Sequence, residues 1–142
     1  MKKTIFNALI IAIFIVGCAG TPNSLSMKGQ YLSKIEEEGA KIFINRNTGF
    51  GGSVGTLIIS MDDVNYFKLN EQDINYLEPE EGERNVCVIT PSMFGNGAGA
   101  KNCIKVEIKK NQKKFFVLNW DYSSIRTRAK FIPLTQQDFL KN

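Results

Sequence analysis

The chain has 142 residues, with 18 Lys plus Arg against 14 Asp plus Glu, three Cys and no His. That length favours one domain, and an apolar fraction of 43 % with ordinary charge density suffices for a core, which excludes wholesale disorder. The missing histidine excludes Ser-His-Asp and Cys-His nucleophile systems, histidine general bases and imidazole zinc sites, and three cysteines cannot build a four-thiolate zinc site.

Met1-Lys2-Lys3 is a short positive start, and Ile5 to Val16 is apolar except for Asn7. A run of about a dozen residues is shorter than the ~20 needed to span a bilayer and has the dimensions of a secretory h-region behind a positive n-region. Ile15-Val16-Gly17-Cys18 then resembles a bacterial lipobox. That resemblance implies diacylglyceryl transfer to Cys18, cleavage before it, and acylation (palmitate or a similar chain) of the new amino terminus. Two or three acyl chains hold a protein at a bilayer durably, where one does so only marginally. Ala19 is not the Asp that retains lipoproteins in the inner membrane of enteric bacteria, so the same resemblance implies the outer membrane, facing the periplasm, in a Gram-negative host. Loss of Lys2 and Lys3 takes two charges from the net +4, leaving +2. A nearly balanced secreted chain is a poor nucleic-acid binder.

The sequence therefore divides into a signal peptide over residues 1–17, a lipidated tether with a short N-terminal segment over 18–38, and a domain over 39–142. Ala19 to Ser26 is small, polar and Pro-containing, as flexible tethers are. Tyr31, Leu32 and Ile35 suit a short amphipathic helical segment within Gln30 to Glu38. From Ala40 the pattern has period two, with Ile42 and Ile44 alternating with Lys41, Phe43 and Asn45 as in a strand. The Gly-rich loop Thr48 to Gly55 follows. Leu57 to Met61 and Asn65 to Leu69 are then expected strands about an Asp62-Asp63 turn, and Ile74 to Leu77 another. Asn85 to Thr90 and Cys103 to Lys109 read as two clear strands. Phe115 to Trp120 is expected to pair back across Asn111-Gln112 as a hairpin, and Lys130 to Pro133 is a last short strand. Thr135-Gln136-Gln137-Asp138 fits a capping signal for a C-terminal helix through Leu140. The expected fold is mainly β: one small β-sandwich of about seven strands with a short C-terminal helix.

The succession Ile44-Asn45-Arg46, Thr48-Gly49-Phe50-Gly51-Gly52-Ser53, Asp62-Asp63, Tyr66-Phe67-Lys68-Leu69, Val86-Cys87-Val88, Lys114 to Leu118 and Phe131-Ile132-Pro133-Leu134 resembles an uncharacterised domain of bacterial lipoproteins, and more distantly PEGA-type sandwiches. The resemblance runs from about Gly39 to Leu140. Asn47 stands where members carry Pro, and the Asp62-Asp63 turn lacks their Gly. It implies fold and localisation, and no activity.

Five groups of residues are candidates for chemistry or contact. Pairing Cys87 with Cys103 centres a hairpin loop on Gly95, faces Val86 with Ile104 and puts both cysteines on the outer face, within disulfide reach. Two separately buried thiols are the alternative, and without Cys-x-x-Cys a redox-active role is not expected. Gly95 to Ala100 matches a dinucleotide fingerprint by letter, but strands on both sides make it a hairpin tip. Phe50 with Gly51 and Gly52 could anchor a partner, since an exposed aromatic in a glycine loop offers apolar area. Asp62 and Asp63 read as turn formers. Lys109, Lys110, Lys113 and Lys114 form a basic turn suited to anionic headgroups or cell-wall polymer. No metal and no cofactor is expected. The partners expected are the membrane, through the Cys18 anchor, and an envelope protein or cell-wall component, with no nucleic acid. The reading is a non-catalytic binding or structural module of the envelope. The alternative is an inhibitor or exclusion factor that blocks another envelope protein.

Overall fold

The computed structural model describes residues 31–46, 55–90, 99–121 and 128–141. Residues 31–36 are helical (α1). Eight strands follow: β1 (Lys41–Arg46), β2 (Leu57–Met61), β3 (Val64–Leu69), β4 (Ile74–Leu77), β5 (Gly82–Thr90), β6 (Ala100–Ile108), β7 (Lys113–Asp121) and β8 (Arg128–Leu134), and then helix α2 (Gln136–Lys141). They form two four-stranded sheets, sheet A in the order β4-β1-β7-β8 and sheet B in the order β3-β2-β5-β6. The mainly β sandwich with its C-terminal helix is as expected.

Two kinds of strand sequence build the two sheets. In sheet B, β6 alternates strictly, with Val106 and Ile108 buried and Lys105 and Glu107 exposed. That is the pattern of a strand with one wet face. In sheet A, β1 is buried at all six positions and β7 carries the unbroken run Phe115-Phe116-Val117-Leu118. Such runs mark strands covered on both faces. Ile42, Ile44, Phe116 and Leu118 face sheet B and share a core with Leu57, Ile59, Val86, Val88, Val106 and Ile108. Phe43 and Phe115 point the other way, into a second core with Ile35 of α1 and Phe139 of α2. Phe43 stacks on Phe115 with ring centres 5.3 Å apart, and Phe115 lies 5.1 Å from Phe139. The alternation expected at Ile42–Asn45 is thus overridden, because two helices cover the face assigned to solvent. The folded unit begins upstream of residue 39.

The expected hairpin across Asn111-Gln112 does not form. β6 pairs only with β5, while β7 pairs in parallel with β1 (Phe43 opposite Phe115) and antiparallel with β8. The chain changes sheets at Lys109–Gln112, where Asn111 adopts a left-handed φ of 58° and Gln112 N–H donates to Lys109 C=O at 3.0 Å. The apolar run of β7 needs cover on both faces, which a place beside β6 would not give. Two other local expectations hold. The β2–β3 turn has φ of 49° at Asp62 and 65° at Asp63, the type I′ conformation that Asp tolerates without Gly. At α2, Thr135 Oγ1 accepts from Asp138 N–H at 3.1 Å and donates to the Asp138 carboxylate at 2.6 Å, closing the expected cap.

Strand direction gives the sandwich two poles. β1, β5 and β7 end at one of them, and β2, β4, β6 and β8 begin there. The connections 47–54, 91–98 and 122–127 therefore all join strand ends at this first pole. Tyr31 Oη donates to Ile74 C=O at the start of β4, so α1 also begins there. At the second pole lie the Asp62-Asp63 turn, the Lys109–Gln112 turn and the start of α2.

Candidate functional site

The disulfide is the best-defined of the expected sites. Register places Cys87 directly opposite Cys103, and the two are bonded. Val86 and Val88 face the inter-sheet core, so both cysteines lie on the outer face of sheet B. The two halves differ in access: Cys87 is 0 % exposed, whereas Cys103 is exposed.

The β2–β3 turn is fastened to β5 at Asn85, two residues before Cys87. Asp62 donates its N–H to Asn85 C=O at 3.0 Å and accepts from Asn85 N–H at 2.9 Å, and Arg84 Nη1 reaches its carboxylate at 3.2 Å. The Asn85 N–H, reinforced by Arg84, holds the Asp62 carboxyl below its ordinary range. Lys101 of β6 meets Asp63 at 2.9 Å. That pair spans β5 on the face from which Cys87 projects. Ser60, beside Cys87 on β2, is buried, and its hydroxyl has no hydrogen-bond partner among the described residues.

The four lysines expected to act together do not share one environment. Lys109 and Lys110 are exposed in the turn at the second pole, and Lys113 and Lys114 are half-buried. Lys113 Nζ donates to the carbonyls of Glu37 (2.7 Å) and Gly39, tying the end of α1 to β7. Burial, with Lys41 nearby, lowers its pKa. Lys114 lies on the same face as Phe116 and lines a groove of about 480 Å³ between β6 and the β7–β8 pair, with Ile104, Val106, Phe131 and Pro133. Toward the first pole the groove closes where Asn102 Nδ2 donates to Ala129 C=O at 2.9 Å.

Two buried charges escaped sequence reasoning. Arg46, 4 % exposed at the end of β1, donates from Nη1 to Gly55 C=O (3.0 Å) and Leu69 C=O (2.8 Å), fastening sheet A to sheet B at the first pole. Burial lowers its pKa. Lys41, 2 % exposed, donates to Glu38 C=O at 3.1 Å and lies within 3.5 Å of Glu37 and 3.4 Å of Glu78. Their sequence signal is a cation at each end of an apolar strand, which also fits ordinary exposed flanks.

Cys18, Phe50, Gly51 and Gly52 lie outside the described residues. The segment that holds Phe50, Gly51 and Gly52 joins Arg46 and Gly55, the two residues linked by the Arg46 bond at the first pole. Among the described residues no helix is long and apolar enough to cross a membrane, and no three Cys, Asp or Glu side chains group to hold a metal. The chain matches no protein-family model and no curated protein.

Proposed function

We propose that the chain is a lipid-anchored cell-envelope protein that works as a non-catalytic binding or structural module. The anchoring half rests on Lys2-Lys3, the apolar run to Val16, and Ile15-Val16-Gly17-Cys18. The binding half is supported by one observation: three connections, the Phe50 segment among them, join strand ends at one pole of the sandwich. Clustered connections on a fixed scaffold are the usual means of recognition by loops. The start of α1 lies at that same pole. A tether of residues 19–30 reaches ~40 Å at full extension, so the pole would be held near the bilayer and its partner would be another envelope component. Lys109 and Lys110 sit at the opposite pole and would be free for anionic cell-wall polymer.

In vivo crosslinking followed by purification of a tagged chain, run on the wild type and on Cys18→Ser, tests both halves. A defined partner captured by the wild type and lost with the anchor is the expected result. Capture of lipid and abundant porins alone would sink the specific-partner reading. Activity of the soluble Cys18→Ser domain added in trans would favour the inhibitor reading.

A further inference from the structure

Ser60, Cys87 and Cys103 lie in one row across sheet B, Ser60 paired with Cys87 and Cys87 with Cys103. A thiolate that opens a disulfide must approach the sulfur it attacks from behind, along the S–S axis, so access on each side decides which sulfur reacts. Cys103 is exposed on β6, an edge strand paired only with β5. Cys87 is 0 % exposed on β5, and its neighbour on the other side, Ser60, is 1 % exposed.

We propose that Cys103 is a thiolation site: the sulfur at which an external low-molecular-weight thiolate opens the bond, with Cys87 as leaving and resolving thiol. The thiolate RS⁻ attacks Cys103 Sγ, the Cys87–Cys103 bond breaks, and RS–S–Cys103 forms. The bonding pair leaves on Cys87 Sγ, which takes a proton from water. Reversal follows when Cys87, once deprotonated, attacks Cys103 Sγ and expels RS⁻, so oxidation state is conserved over the cycle. Lys101 and Lys105 flank Cys103 two residues away on the same exposed face, their ammonium groups held by Asp63 at 2.9 Å and Glu83 at 2.8 Å, so access and not charge is what selects Cys103. One effect opposes this direction. Burial disfavours the Cys87 thiolate and makes it the poorer leaving group. Access outweighs it, because a sulfur with no exposed surface cannot be reached from behind while the sheet is closed. The site is a place of covalent modification, distinct from a catalytic Cys-x-x-Cys pair and independent of the proposed anchoring.

The test exposes the folded chain to reduced glutathione, quenches with N-ethylmaleimide and maps both cysteines by mass spectrometry. Glutathione on Cys103 with maleimide on Cys87 is expected, in at least about tenfold excess over the reverse. An even split, glutathione on Cys87, or no adduct under conditions that modify the urea-unfolded chain would each overturn the proposal. Single variants give a second reading that re-closure of the bond cannot obscure. Oxidised glutathione should modify Cys103 in folded Cys87→Ser at least about tenfold faster than Cys87 in folded Cys103→Ser. Equal rates would refute the asymmetry.

Discussion

In sheet A the face turned away from the sandwich carries Phe43 and Phe115 beneath Ile35 and Phe139. The corresponding face of sheet B carries exposed Lys68, Lys101 and Lys105 and the Cys87–Cys103 bond. Sheet A is held by burial on both sides and has no cross-link among its described residues. Sheet B has water on one side and a covalent staple between its edge strand and its neighbour. Burial and cross-linking thus serve as alternative means of holding a strand, and each sheet relies mainly on one.

The sharpest way to break this contrast is to empty the second core. Phe43→Ala removes a fully buried ring and should cost about 3–5 kcal/mol in chemical denaturation. Tyr66→Ala, at a 52 % exposed position on β3, should change stability by no more than about 0.5 kcal/mol. Similar losses from the two would refute the two-face account of sheet A. Next comes the staple. The bond closes a separation of 16 residues, so Cys87→Ser with Cys103→Ser, compared with the oxidised wild type, should lower stability by about 3 kcal/mol. The same double change should leave the Phe43→Ala loss unaltered, since separate sites are additive. Thr135→Ala removes the cap that positions α2 over Phe115 and should cost about 1 kcal/mol, read as a shift in thermal midpoint.

Smaller effects sharpen the sheet B side. Ser60→Ala deletes a buried hydroxyl without a partner among the described residues and should be neutral or mildly stabilising in the same denaturation series. Asp62 has a folded-state pKa below its unfolded value, so its contribution is complete above the ordinary carboxylate range. It is lost as pH falls through the depressed folded value. The wild type should therefore lose more stability than Asp62→Asn when denaturation curves taken at neutral pH are repeated below about pH 4.

Much of this was legible in the sequence, because it depends on neighbours along the chain. Strand positions, the Asp62-Asp63 turn, the Thr135 cap and the Cys87–Cys103 register are set by local spacing. What was not legible depends on which distant surface covers a residue. Phe43 between two isoleucines fits a strand with one wet face until two helices are known to lie over it. The run Phe115 to Leu118 signals two-sided burial, but it does not say that β1 is the partner. Lys113 resembles its three neighbours in sequence, and only the fold turns its ammonium toward the carbonyls of Glu37 and Gly39. The segment with Phe50, Gly51 and Gly52 can be placed only by the strand ends it joins.

The parallel pairing of β1 with β7 has a consequence for how the chain acquires its structure. β1 can meet β4 early in synthesis, but its other side stays open until a strand beginning at Lys113 is available. α2, which seals Phe43, is made later still. Contacts between such distant segments form slowly, since a long stretch of chain must be closed before they are rewarded. A nascent chain lacking its C-terminal fifth carries every strand of sheet B but has no β8, only the start of β7, and no helix to cover Phe43, so sheet B can close before sheet A does.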